Sequence, residues 1–244
     1  MLRCRVLSGN ALKLIAALAM LIDHIGVLLF PQVLILRVIG RISFPIFAFM
    51  IAEGCRYTKN KARYFFTMFG VGAACQVVMY LYNRSLEMSV LITFSLSVLL
   101  IYAFQWVKET LFFRNVHVGA LIGTILLCSA LICGVGILGI YVDLDYGATG
   151  AMLPLFASLL HPPRHTGNTH FHRLDDPRLH ALMMSVGMLI LALDDGGIQF
   201  WSFLALPFLL LYSGKRGRWR LKYFFFVFYP AHLLLLQMLA WAIF

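Results

Sequence analysis

Apolar residues in this chain fall in runs of roughly 20, and the runs recur to the last residue. Each is about long enough to cross the hydrocarbon core of a bilayer. Nine helical spans can be drawn: 11–30, 33–55, 64–82, 89–107, 117–139, 147–160, 179–194, 198–213 and 222–244. The predicted architecture is therefore all-α, a polytopic integral membrane bundle of about nine transmembrane helices in a single domain over 1–244. The sixth to eighth spans are short, and are expected to tilt, re-enter or shelter behind neighbours. Polar connections are brief except at 161–178, HPPRHTGNTHFHRLDDPR, whose prolines and polar residues predict a flexible loop.

Polar positions inside the runs are the informative ones. The stretch 12–66 holds two long apolar helices joined at Pro31, and inside them stand Asp23, His24, Arg37, Arg41 and Glu53. An ionisable group within a span costs at least ~2.5 kcal/mol on insertion scales, so it normally faces the bundle interior or an aqueous path. Five in two neighbouring spans suggest a site. At ~1.5 Å rise per residue, His24 lies ~20 Å above the inner face and Arg41, on the returning helix, ~21 Å. His232 in the last span comes at ~15 Å. These three groups would form one buried cluster if the first, second and last spans are neighbours.

Composition agrees with the pattern. The chain is 61% hydrophobic and only 12% charged, with mean hydropathy +0.87, whereas a soluble domain is near half apolar and a quarter charged. No polar stretch is long enough to build a separate soluble core. The net charge of +10 is best explained by topology and contact with the lipid bilayer rather than by nucleic acid. With the N-terminus inside and the C-terminus outside, 17 of the 20 lysines and arginines fall on inner loops, and only Arg37, Arg41 and Arg84 fall outward. Arg3 and Arg5 before an apolar run resemble a signal peptide, but the run has no clear cleavage site and contains Asp23 and His24, so a retained first span is expected. Five scattered cysteines form no CxxC motif and read as small packing residues.

Several constellations carry chemistry. Histidine titrates near neutrality, so His24 is a candidate general base or acyl carrier. Asp23 is its neighbour, but adjacent helical residues point ~100° apart, so Asp23 either orients His24 or pairs with Arg37 or Arg41. His232, after Pro230, is a second candidate. Two basic inner loops, RYTKNKAR (56–63) and GKRGRWRLK (214–222), offer Arg56, Lys59, Lys61, Arg63, Lys215, Arg216 and Arg218 to a phosphorylated cofactor. Positive-inside topology alone also accounts for them. On the outer side, VDLDYG (142–147) and ALDDGG (192–197) present Asp143, Asp145, Tyr146, Asp194 and Asp195, which with Arg37 are the candidate acceptor side; helix capping is the plainer account. His161, His165, His170, His172 and His180 cluster around one loop, but their spacing fits no zinc motif, and no metal is expected.

The blocks LKLIAALAMLIDHIG (12–26), LRVIGRISFPIFAFMIAEGCRYTKNK (36–61), DYGATGAMLPL (145–155), LALPFLLLYSGKRG (204–217) and KYFFFVFYPAHLLLL (222–236) resemble the TraX family of membrane proteins. Plasmid-borne members of that family acetylate the N-terminus of conjugative pilin. The family is similar to wider transmembrane acyltransferases, the acyltransferase type-3 family and the heparan glucosaminide acetyltransferase among them. The resemblance implies a multi-pass protein of the bacterial inner membrane that takes acetyl-CoA from the cytoplasm. The acetyl group would pass to an amine or hydroxyl on a pilin-like peptide or a glycan. It makes His24 the catalytic candidate, Asp23 and Arg41 its partners, the basic loops the coenzyme side, and His232 part of the same tunnel. Residues 161–180 carry no family resemblance.

Two other classes use the same residues. A transporter or proton-coupled permease would use the buried charges as a relay, although no internal repeat supports it. A non-enzymatic scaffold for pilus assembly would tolerate loss of His24. The acceptor, the acyl chain length and the oligomeric state, a homodimer included, stay open.

Overall fold

The computed structural model describes residues 6–84, 87–112, 117–163, 174–218 and 221–243. It is 81% helical and, among the described residues, holds no strand. The helices are α1 (Gly9–Leu28), α2 (Leu34–Gly40), α3 (Ser43–Tyr57), α4 (Lys61–Asn83), α5 (Val90–Leu111), α6 (Val118–Tyr141) and α7 (Gly147–Ser158). After them come α8 (Pro177–Asp195), a 3₁₀ segment (Gly197–Ala205), α9 (Leu206–Leu210) and α10 (Lys222–Ile243).

Among the described residues, seven helical segments are long and apolar enough to cross a membrane, with α2 and α3 together making one of 24 residues. They correspond to the first five, the seventh and the ninth of the predicted spans. The sixth and eighth are shorter: α7 has 12 residues, and the 3₁₀ segment with α9 covers Gly197–Leu210. Twelve helical residues extend ~18 Å, well under a full crossing. The exposed faces suit lipid. On α6, Val118, Ile122, Leu126, Ile137 and Ile140 are each more than half exposed, a surface that water would not tolerate.

The chain divides into two compact units, Met1–Met50 with Met188–Phe244, and Ile51–Gly187. In the first, glycine sets the spacing of α1 and α2. A Cβ at Gly26 would lie 2.8 Å from Leu36, and one at Gly40 would overlap the side chain of Asp23. Small residues that let helix backbones approach are the usual basis of packing in lipid, where apolar burial gives no preference for protein over acyl chain. The span formed by α2 and α3 is interrupted at Arg41 and Ile42. Pro45 has no N–H to return to the Arg41 carbonyl, so the helix cannot run straight through this point. The break holds Arg41 at mid-span. Leu29, Leu236 and Ala240 join α1 to α10, with Leu21, Ile25 and Leu28 around them.

The start of α1 is tied to the loop after α9. Ser8 caps the helix by accepting from the Ala11 N–H, and the N–H groups of Gly9 and Asn10 donate to the carbonyls of Lys215 and Arg216 at 2.8 and 3.0 Å. Gly217, at φ +95°, lies against Ser8, where a Cβ would come within 2.8 Å of Oγ.

In the second unit, Leu100, Val135 and Ala151 pack α5, α6 and α7 together. Gly139 admits Ala148 at the turn of α6 into α7. Ser97 adds a cross-helix hydrogen bond to the Ala151 carbonyl at 2.7 Å. The end of α7 is closed by an ammonium. Lys108 donates to the carbonyls of Ser158, Leu159 and His161 at 3.2, 3.3 and 2.8 Å. A lysine in an apolar helix is thereby satisfied, and the chain leaving α7 is fixed as far as His161.

Candidate functional site

Asp23 is buried, 8% exposed, on the face of α1 that meets α2. Its carboxylate accepts from both predicted arginines, Arg37 at 2.6 Å and Arg41 at 3.0 and 3.1 Å. Arg41 is 7% exposed and also donates to Gln199 Oε1 at 3.3 Å. Two guanidinium groups on one carboxylate leave the cluster with one net positive charge, a stabilising environment for a negative charge placed beside it. Position 40 must be glycine for this, because any side chain there would displace the carboxylate.

His24 faces another way and makes no hydrogen bond to Asp23 among the described residues, as the ~100° between helix neighbours requires. The ring is held instead by Met20 O, 2.9 Å from Nδ1, and by His232 Nε2, 3.2 Å from the same nitrogen. The imidazoles meet edge to face, centroids 5.0 Å apart. His232 repeats the local pattern, with Nδ1 2.8 Å from Phe228 O and its ring stacked on Phe228. A carbonyl only accepts, so both Nδ1 atoms carry protons. In neutral rings His232 Nε2 then accepts from His24 Nδ1. His24 Nε2 is left with its lone pair, and it has no partner among the described residues. This tautomer makes His24 Nε2 a base or nucleophile with its orientation set in advance.

His24, Asp23, Arg41, Arg37 and His232 are thus brought together in one unit, with the first, second and last spans adjacent as the depth estimate required. Arg37, expected toward the acceptor side, is part of the ion cluster itself. Glu53, the fifth ionisable group of the first two spans, belongs to the other unit and to a different cluster. The expectation of one site containing all five is corrected: Glu53 is 12 residues beyond Arg41, and the break at Arg41 and Ile42 separates them along the span. Sequence reasoning also missed Gln199, fully buried against Arg41 with its Nε2 unpartnered among the described residues. A glutamine in the short apolar stretch GGIQFWSFLA was the available signal.

The basic residues are distributed between the units. Lys215, Arg216 and Arg218 are exposed on the loop that wraps the start of α1, where Gly214 and Gly217 adopt positive φ of 71° and 95°. In the other unit Lys59 and Arg63 are exposed, Lys61 lies over the Tyr102 ring at 5.3 Å, and Arg56 is bound to Asp175. Arg56 is therefore already committed to a carboxylate. The acidic turns are similarly mixed. Asp143 is exposed, and its carbonyl accepts from Met88 N at 2.7 Å; the Asp145 carbonyl accepts from Thr93 Oγ1 at 3.0 Å. Tyr146 takes a left-handed backbone, φ +62°, where α7 begins. The turn thus closes α5 onto α7 through its backbone. Asp194 and Asp195 are exposed at the end of α8.

A second cluster lies wholly within the other unit. Glu53 of α3 and the imidazoles of His161, after α7, and His180, on α8, converge with Arg56 and Asp175 around them. Of the five histidines weighed as metal ligands, His161 and His180 are in it, while His165, His170 and His172 lie outside the described residues. Arg3, Arg5, Arg114, Arg164, Arg173 and Arg220, used in the topology count, also lie outside them.

Seven crossing-length apolar helices, with a buried ionic cluster and a fixed histidine pair among them, define a multi-pass helical membrane protein. The chain belongs to the TraX family, whose profile, described as TraX protein, matches residues 8–240. It is similar to the uncharacterized protein RP591 of Rickettsia prowazekii (strain Madrid E), with 34% identity over 114 residues. That match covers 46% of this chain and 44% of the relative, so it spans less than half of either. No solved structure matches the chain.

Proposed function

We propose that this protein is a membrane-embedded acyltransferase. It takes an acetyl group from cytoplasmic acetyl-CoA and passes it to an amine, such as the N-terminus of a pilin-like peptide, or to a hydroxyl on the far side of a bacterial inner membrane. The observation that carries the reading is the histidine pair: His24 Nδ1 lies 2.9 Å from Met20 O and 3.2 Å from His232 Nε2, contacts that favour the tautomer with Nε2 unprotonated. A base in that state removes a proton from an attacking amine as the new C–N bond forms. The tetrahedral intermediate then collapses by breaking the C–S bond, and coenzyme A leaves as a thiol after taking a proton. In the two-step version Nε2 itself attacks and carries the acetyl group before the acceptor does.

The oxyanion that forms in either version needs positive charge in a place shielded from water. Arg41, buried and part of a cluster with one net positive charge, supports that role, with Asp23 and Gly40 as positioning residues. Lys215, Arg216 and Arg218, exposed beside positive-φ glycines, are the candidates for phosphate contact, as are Lys59, Lys61 and Arg63 in the other unit. Membership of the TraX family supports pilin-type chemistry through the resemblance set out above.

The test is turnover of radiolabelled acetyl-CoA by purified protein in detergent, with His24→Ala alongside. Binding by both proteins and turnover only by the wild type is the expected result. Equal turnover by the variant would remove His24 from the mechanism, and no binding over a wide concentration range would remove the acyltransferase.

A further inference from the structure

The acyltransferase reading makes no use of a second, deeply buried polar cluster. Glu53 and His161 are each 2% exposed and His180 is fully buried. Their donor atoms, one from each side chain, all lie within 4.8 Å of one another. Three separate elements deliver them: the last turns of α3, the chain fixed by Lys108 after α7, and the first turn of α8. Residues this far apart in sequence, placed by different helices around one point, form a built site rather than a run of polar positions.

Hydrogen bonding alone does not account for these contacts. His161 Nε2 is 3.5 Å from Glu53 Oε1, and His180 Nε2 is 3.6 Å from Asp175 Oδ1, both beyond the normal range for N–H···O bonds. Among the described residues, neither ring nitrogen of His180 has a hydrogen-bond partner, and His161 Nδ1 has none. Three buried, unpartnered imidazole nitrogens within one cluster call for an explanation, because each costs ~1–3 kcal/mol if left so. The spacing offers one. Two ligands each ~2.1 Å from one tetrahedral ion stand ~3.4 Å apart, close to the 3.5 Å between His161 Nε2 and Glu53 Oε1.

We propose that Glu53, His161 and His180 bind a divalent transition-metal ion of the zinc class. Two imidazoles and one carboxylate are a donor set suited to zinc and its first-row neighbours, with a fourth position left to water or another ligand. Arg56 lies 3.9 Å from Glu53 Oε1, and its charge opposes a cation, but it is also bound to Asp175 Oδ2, which leaves Oδ1 turned to His180. From the 4.8 Å that bounds the triad, its widest gap closes by at most ~1.4 Å when the ion binds, given the ligand spacing above. The inference is independent of the acyl-transfer reading, since metal content is measured without any turnover.

The experiment uses the full chain purified in detergent through a tag that contains no histidine. Metal content is measured after gel filtration, and the chelator-stripped protein is then titrated with Zn²⁺ and, separately, Co²⁺. We expect about one zinc per chain, a rise in the thermal midpoint on adding zinc that chelator reverses, and a visible absorption band with cobalt. His180→Ala and Glu53→Gln should each lower retained zinc at least tenfold and change or abolish the cobalt band. If His180→Ala does not fold, the wild-type titration still decides, because stripped protein exists without substitution. Less than a tenth of a zinc per chain together with no thermal shift overturns the site and leaves a structural histidine–carboxylate network. Zinc retained equally by both variants also overturns it, by moving the ion elsewhere.

Discussion

Each unit holds a pair of histidines meeting edge to face, and each pair has carboxylates and arginine nearby, yet the wiring is opposite. In the first unit His24 and His232 are each fixed through Nδ1 to a carbonyl one turn earlier, and the carboxylate is taken by two arginines. In the second, Nε2 of His161 and of His180 face carboxylate oxygens, and neither ring has a backbone carbonyl partner among the described residues. The first arrangement fixes a proton and leaves one lone pair directed outward, which suits a base. The second turns several lone pairs toward one point, which suits a cation. The same residue types give different chemistry because the backbone around them supplies an acceptor in one case and not in the other.

The comparison breaks first at His24. Replacing it with alanine should lower acetyl turnover by about 10²–10⁴-fold, the usual contribution of a positioned acid–base group, while expression and detergent elution volume stay unchanged. A loss below tenfold would mean that the fixed tautomer has no catalytic use. Next comes Asp23→Asn. It removes the carboxylate that two guanidinium groups share, one of them buried, and should cost roughly 3–5 kcal/mol, read as a lowered unfolding midpoint in denaturing detergent. An unchanged midpoint would show that Arg41 finds another partner, and the ion cluster would lose its status as the structural half of the pair.

Gly40→Ala sharpens the same point with a smaller effect. The added methyl overlaps Asp23, and overpacking of this kind typically costs about 1–3 kcal/mol. Acetyl turnover should fall with it if the arginine cluster and His24 work together; a stable variant with normal turnover would separate them. Smallest is Lys59→Ala, at an exposed position. Its effect on stability should stay within ~0.5 kcal/mol, and any change should appear as weaker acetyl-CoA binding that fades at high salt.

Much of the first unit was legible in the chain. Ionisable residues in apolar spans stand out because lipid excludes them, and the helical rise placed His24, Arg41 and His232 at related depths before any contact was known. The pairing of Asp23 was open, since it turned on which way one helix face points. The second unit's cluster was half visible. The histidines around residues 161–180 stand out in the chain, but no short motif spaces them for a metal. Glu53 stands in sequence with the ionisable groups of the first two spans instead. Motif spacing finds ligands that share one loop or one helix, whereas Glu53, His161 and His180 arrive from three elements, and their pairing is invisible in one dimension.

What the sequence determined by itself is the class of protein: long apolar runs broken by basic loops leave a helical membrane bundle as the available solution, because backbone polar groups in lipid must be satisfied within each span. It also determined where polar chemistry was to be found. Tertiary structure decided how those polar groups divide. Close approach at Gly26 and Gly40 set Asp23 between two arginines, the break before Pro45 held Arg41 at mid-span, and Lys108 fixed the chain that carries His161 toward Glu53. These are packing events between distant residues. Their energies come from shape and from desolvated contacts, which no single span contains.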